Sequence, residues 1–127
     1  SGLVVPALKG EPGVYSARYA GEHADDADNN RKLLAQMAQC DDRRAFFLCC
    51  MTFMQSATDP TPIIAFGHWR GEILSQPRGA KGFGYDPLFY VSEQNATAAE
   101  LLPDVKNQLS HRGKACRTLL SRLQDYT

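Results

Sequence analysis

Apolar positions along this chain change period several times, and the changes mark its elements. Leu3 to Val5 is a short apolar run closed by Pro6 and predicts a strand. The opening residues Ser1-Gly2-Leu3-Val4-Val5 start that strand abruptly, as in a chain cut within a longer protein. Gly10-Glu11-Pro12-Gly13 is turn chemistry. Asp25, Asp26 and Asp28 crowd the start of a helix expected to run to about Gln39, with Leu33, Leu34 and Met37 as its buried stripe. Arg44 to Met54 is an almost unbroken apolar run, which predicts a strand buried on both faces.

Ser56 to Pro62 reads as a hairpin loop. Ile63 to Trp69 reads as a second long strand, extended through Gly71 to Ser75 past a bulge at Gly71. Gln76 to Asp86 is a glycine-rich loop, and Leu88 to Val91 another strand. Thr97-Ala98-Ala99-Glu100 matches a capping box opening a short helix limited by Pro103. Ser110 is a good N-cap for a last helix with Ala115, Cys116, Leu119, Leu120 and Leu123 on one face. Strands and helices intermix with hairpin pairing in the middle, so the expected class is mixed α/β (α+β). No repeat, low-complexity tract or linker divides the chain, which reads as a single domain over residues 1–127.

Composition narrows the partners. Lys+Arg and Asp+Glu number 14 each, so no bulk basic field favours a nucleic acid polymer or an anionic membrane. No apolar run approaches the ~20 residues of a membrane span. Cys40, Cys49, Cys50 and Cys116 lack C-x-x-C spacing and read as buried free thiols, with Cys49 and Cys50 on opposite faces of a strand. Such usage suits a reducing, cytoplasmic compartment.

Two segments carry chemistry. In Gly82-Phe83-Gly84-Tyr85-Asp86-Pro87 the glycines permit close approach of a ligand to the backbone. Phe83 or Tyr85 can stack on a base, worth about 1–3 kcal/mol, and Asp86 can accept from base N–H groups. The plainer reading is a tight loop with core aromatics and a turn-capping aspartate. In Ser110-His111-Arg112-Gly113, two basic residues occupy the first turn of a helix, where positive charge is unfavourable. That conflict points either to donors aimed at a carbonyl oxygen or to a solvated basic face. Lys106 lies just upstream. Arg18, between Tyr15 and Tyr19, reads as a structural or interface arginine, and the three aspartates at 25, 26 and 28 as helix caps rather than a metal cluster.

Taken together, Ser1-Gly2-Leu3, Pro12 to Tyr19, Gly82 to Pro87, Thr97 to Leu101 and Ser110 to Gly113 lie in an order and spacing that resembles the noncanonical purine nucleoside triphosphate pyrophosphatases, the inosine triphosphate pyrophosphatase family, in its bacterial form. The resemblance covers essentially the whole chain. It implies hydrolysis of inosine, deoxyinosine or xanthosine triphosphate to monophosphate and pyrophosphate with Mg2+, in a homodimer with an elongated mixed sheet and flanking helices. It places Ser1, Phe83, Gly84, Tyr85, Asp86, Lys106, His111 and Arg112 against the substrate.

The family's N-terminal section has no counterpart here. With it go a Thr-Gly-Asn phosphate turn, a magnesium-binding glutamate and the general-base aspartate expected just before Ser1. The chain is therefore expected to be the C-terminal portion of such an enzyme, with no catalytic or metal-ligating residue of its own and no activity alone. Two other readings remain: a non-catalytic nucleotide-binding or interaction module, and the related septum-associated pyrophosphatases, against which Ser110-His111-Arg112 argues.

Overall fold

The computed structural model describes residues 1–126. One five-stranded sheet carries the chain in the order β1 (Gly2–Val4), β2 (Arg44–Phe53), β3 (Ile63–Ile73), β4 (Phe89–Val91) and β5 (Ala96–Thr97), with all four pairings antiparallel. Three helices flank it: α1 (Asp26–Met37), α2 (Pro103–Leu109) and α3 (His111–Leu123). The mixed α/β class stands. The start of α1 follows from its sequence. Asp25 accepts from the Asp28 amide and Asp28 reciprocates, a capping box. At its far end Arg43 donates to Met37 O, Ile73 O and Leu74 O, so one guanidinium ties the last turn of α1 to the end of β3.

The core lies under one face of the sheet. Leu3, Phe47, Trp69 and Ile73 meet Leu33 and Met37 of α1, and Leu88, Phe89 and Leu101 close it. The long apolar run of β2 is not buried on both faces. Ala45, Phe47 and Cys49 are buried, whereas Phe46 and Leu48 are half-buried and Cys50 is exposed. The same alternation on β3 leaves Ile64 and Phe66 exposed. Periodicity misleads here because the outward positions are apolar as well. Of the four cysteines expected to be buried, Cys49 is; Cys40 is half-buried, and Cys50 and Cys116 are exposed.

Three local expectations also change. β3 runs unbroken through Gly71, which pairs with Ala45 without a bulge. A β-carbon there would strike Tyr90 O and the Phe89 ring, so glycine serves close packing. The Thr97–Glu100 capping box exists but closes a single 3₁₀ turn, Ala98–Glu100. Pro103 then opens α2 instead of limiting it, since its missing N–H is an orphan at a first helical turn anyway. On α3, Ala115 is buried and Leu119 half-buried, while Cys116 and Leu120 face out.

α3 crosses β2 and β3 at close range. A β-carbon on Gly67 would run into His111 O and Ala115 N, so the helix backbone rests directly on the strand. Beyond Glu72 and Ile73, the outer edge of β3 has no strand partner among the described residues. Lys114 donates to His68 O and Arg122 to Ile64 O, covering that edge with basic side chains. Overpacking of this kind costs about 1–3 kcal/mol. Gly67→Ala is expected to lower the urea midpoint by a corresponding amount. An unchanged midpoint would mean that α3 does not depend on this contact.

Candidate functional site

Four stretches converge on a cavity of about 530 Å³: the first residues of β1, the Gly82–Asp86 loop, α2, and the start of α3. Ser1, Phe83, Gly84, Tyr85, Asp86, Lys106, His111 and Arg112 all line it. Leu3, Phe47, Ala98 and Leu101 add an apolar wall. A concave, mostly apolar space with a few converging polar groups is the usual form of a small-molecule site.

The loop sorts its two aromatics. Tyr85 is buried in the core, and its hydroxyl donates to Ser16 O at 2.6 Å. Burial pushes its phenol pKa up, with the nearby Tyr19 and Asp26 adding to the effect. Phe83 is 58% exposed, which leaves it as the available platform. Lys106 Nζ lies 4.7 Å and Arg112 Cζ 5.2 Å from its ring centroid, within cation–π range.

Asp86 is 5% exposed and already engaged. Its Oδ2 accepts from the Phe83 amide at 3.1 Å and from Lys106 Nζ at 2.5 Å. A buried carboxylate of this kind is stable only with its cation, and removing one partner strands the other. The pair therefore joins the loop to α2. A β-carbon on Gly82 would collide with the Asp86 carboxylate, so glycine there is a steric necessity.

Ser110 caps α3 by accepting from the Gly113 amide at 3.0 Å. His111 then stacks on Phe47, with centroids 4.8 Å apart and planes 14° from parallel, and lies 6.4 Å from Trp69. Burial lowers its pKa to about 4, helped by the charges of Arg112 and Lys106. The imidazole is thus neutral near pH 7. The conflict of two cations in one helical first turn disappears, because only Arg112 is charged there. His111 Nδ1 is buried without a hydrogen-bond partner among the described residues. Arg112 is exposed, and its Nε reaches Ser1 Oγ at 3.4 Å.

Sequence reasoning missed Asp26, Asn29, Ser16, Lys81 and Phe47 as cavity residues. A signal existed for Asp26. A capping box uses two of the three aspartates and leaves the third over. For magnesium the fit is poor. No group of three or more His, Cys, Asp or Glu side chains is placed to hold a metal among the described residues. The carboxylates at the cavity are spent on Lys106 and Phe83 (Asp86) and on the Gly84 amide (Asp26).

This sheet, with a cavity walled by the Gly82–Asp86 loop and the start of α3, defines a chain of the Ham1 family, whose sequence profile matches residues 1–122. Among its relatives, the dITP/XTP pyrophosphatase of Legionella pneumophila is 54% identical over 98% of this chain and 66% of its own length. That of Aromatoleum aromaticum is 57% identical over 97% of this chain and 62% of its own. A solved HAM1 protein from Coxiella burnetii superposes with a TM-score of 0.94 at 48% identity, covering 98% of this chain and 64% of that one. The chain thus spans about two thirds of the length of the proteins it matches.

The unfolded chain has an ordinary histidine pKa of about 6.5, and the folded value is lower. His111 therefore contributes stability that is complete above pH 6.5 and drains away as the pH falls toward 4. An NMR titration should follow the His111 ring protons to a midpoint near 4; a midpoint near 6.5 would contradict its burial as a neutral ring.

Proposed function

We propose that the cavity binds the base of a purine nucleoside triphosphate carrying a carbonyl at C6, namely inosine, deoxyinosine or xanthosine triphosphate. The parent protein hydrolyses it to monophosphate and pyrophosphate and so removes it from the nucleotide pool. The observation that carries this reading is the convergence of an exposed aromatic ring, a charged guanidinium and an imidazole nitrogen unpartnered among the described residues on one apolar cavity. The relatives' pyrophosphatase names support the reaction class.

The roles divide by chemistry. Phe83 stacks on the ring. Arg112 donates to the base carbonyl as a permanent cation. His111, held neutral and oriented by Phe47, donates through Nδ1, which otherwise stays unsatisfied. Adenine offers an amine where those donors need an acceptor. Leaving a buried polar group unmatched costs about 1–3 kcal/mol, and sites built this way discriminate strongly. Asp86 acts mainly through Lys106 and the Phe83 amide. Ser1 contacts the nucleotide from the strand end.

Magnesium, which the resemblance implies for the reaction, finds no set of three or more side-chain ligands among the described residues. In this reading the 127-residue polypeptide binds nucleotide without turnover on its own. We further propose that the protein works in the cytoplasm and pairs as a homodimer.

In calorimetric titrations this chain should bind inosine triphosphate more tightly than ATP. Arg112→Ala should weaken inosine triphosphate by about 1–3 kcal/mol and narrow the gap to ATP. An unchanged preference would remove Arg112 from base recognition. Steady magnesium-dependent pyrophosphate release by the pure polypeptide would refute its lack of turnover.

A further inference from the structure

Phe83, the exposed aromatic of its loop, has Lys106 and Arg112 within cation–π range but lies outside the buried core. Its place depends on the backbone around it. Gly82 has φ +79° and Gly84 φ +59°, both in the left-handed region. Gly82 is explained by the carboxylate behind it. At Gly84 a β-carbon would meet nothing within 4 Å, so the conformation is its sole requirement, and something else must hold it.

Helix α1 does so from both sides of one residue. Asp26 Oδ2 accepts from the Gly84 amide at 2.9 Å, and Asn30 Nδ2 donates to the Gly84 carbonyl at 3.1 Å. The two side chains are four residues apart and so share a helix face. Neither is needed by the helix itself, because Asp25 and Asp28 form its cap. Asn30 Oδ1 is buried and has no partner among the described residues. The amide is thus oriented to serve Gly84 at the expense of its own acceptor, a cost of the kind that marks a functional constraint. The next residue, Tyr85, is tied to Ser16 O, so the peptide at Gly84 is held while Phe83 projects.

We infer that Asp26 and Asn30 are positioning residues for base recognition. They clamp the Gly84 peptide so that the Phe83 ring stands beside Lys106 and Arg112, where it receives the base. This rests on the nucleotide-binding reading above. It deepens that reading by assigning part of the discrimination to α1, which lies outside the loop and helix segments that touch the base.

The test uses the full chain and four forms: wild type, Asp26→Ala, Asp26→Asn and Asn30→Ala. Inosine triphosphate and ATP are titrated by calorimetry, and hydrogen exchange is followed at the Gly84 amide. Asp26→Ala and Asn30→Ala are expected to weaken inosine triphosphate about tenfold, to compress its preference over ATP, and to speed Gly84 exchange. Asp26→Asn, which keeps an acceptor oxygen, should restore most of all three. A role confined to holding the loop would speed Gly84 exchange in the alanine variants without moving the ratio of the two affinities. Should Asp26→Ala fail to fold, Asn30→Ala carries the same expectation with the helix start intact. Unchanged affinity and preference in a folded Asp26→Ala or Asn30→Ala protein would overturn the inference. If wild type binds neither nucleotide, the functional reading fails. The base-positioning role falls with it: faster Gly84 exchange in the alanine variants would leave only the contacts to Gly84 standing, and unchanged exchange would overturn those as well.

Discussion

The contact of α3 with the backbone of β3 at Gly67 is the constraint on which the site depends. With no side chain between them, helix and strand approach closely enough to press His111 onto Phe47. That burial makes the imidazole neutral, and the helix start then carries one charge, on Arg112. The turn between α2 and α3 is equally tight, since a β-carbon on Gly113 would strike Asn107 O. Lys106 is thereby delivered to the same cavity, where Asp86 takes its charge.

The resulting electrostatics are local. A chain with equal numbers of acidic and basic residues has no long-range pull on an anion. On the proposed function, selectivity comes from placement: one ion pair that locks the loop to α2, one exposed guanidinium, and one ring whose buried nitrogen lacks a partner among the described residues. Asp86 and Lys106 are partnered with each other, whereas His111 Nδ1 is buried without a partner among the described residues. This is the arrangement expected of a preorganised binding site.

Much of this was legible in the sequence. The caps at Asp25 and Ser110 and the order of the main strands and helices followed from turn chemistry and capping rules; the eight residues that the resemblance set against substrate line one cavity, and their contact with substrate stays a proposal. The misses have physical causes. A strand that is apolar on both faces does not reveal which face is covered, so Cys50 and Phe66 were unreadable. Glycines required by tight packing, such as Gly71, look the same as glycines at a bulge. A residue that acts through a partner distant in sequence, as Asp26 acts on Gly84 58 positions away, leaves no local pattern beyond a surplus aspartate.

The central claim is that this cavity receives a 6-oxopurine on the face of Phe83. The most direct measurement is a crystal structure of the chain with inosine monophosphate bound. The hypoxanthine ring should stack on Phe83, with its carbonyl oxygen within hydrogen-bond distance of Arg112 and His111. A base bound elsewhere, or one seated here with its carbonyl turned away from both donors, would contradict it.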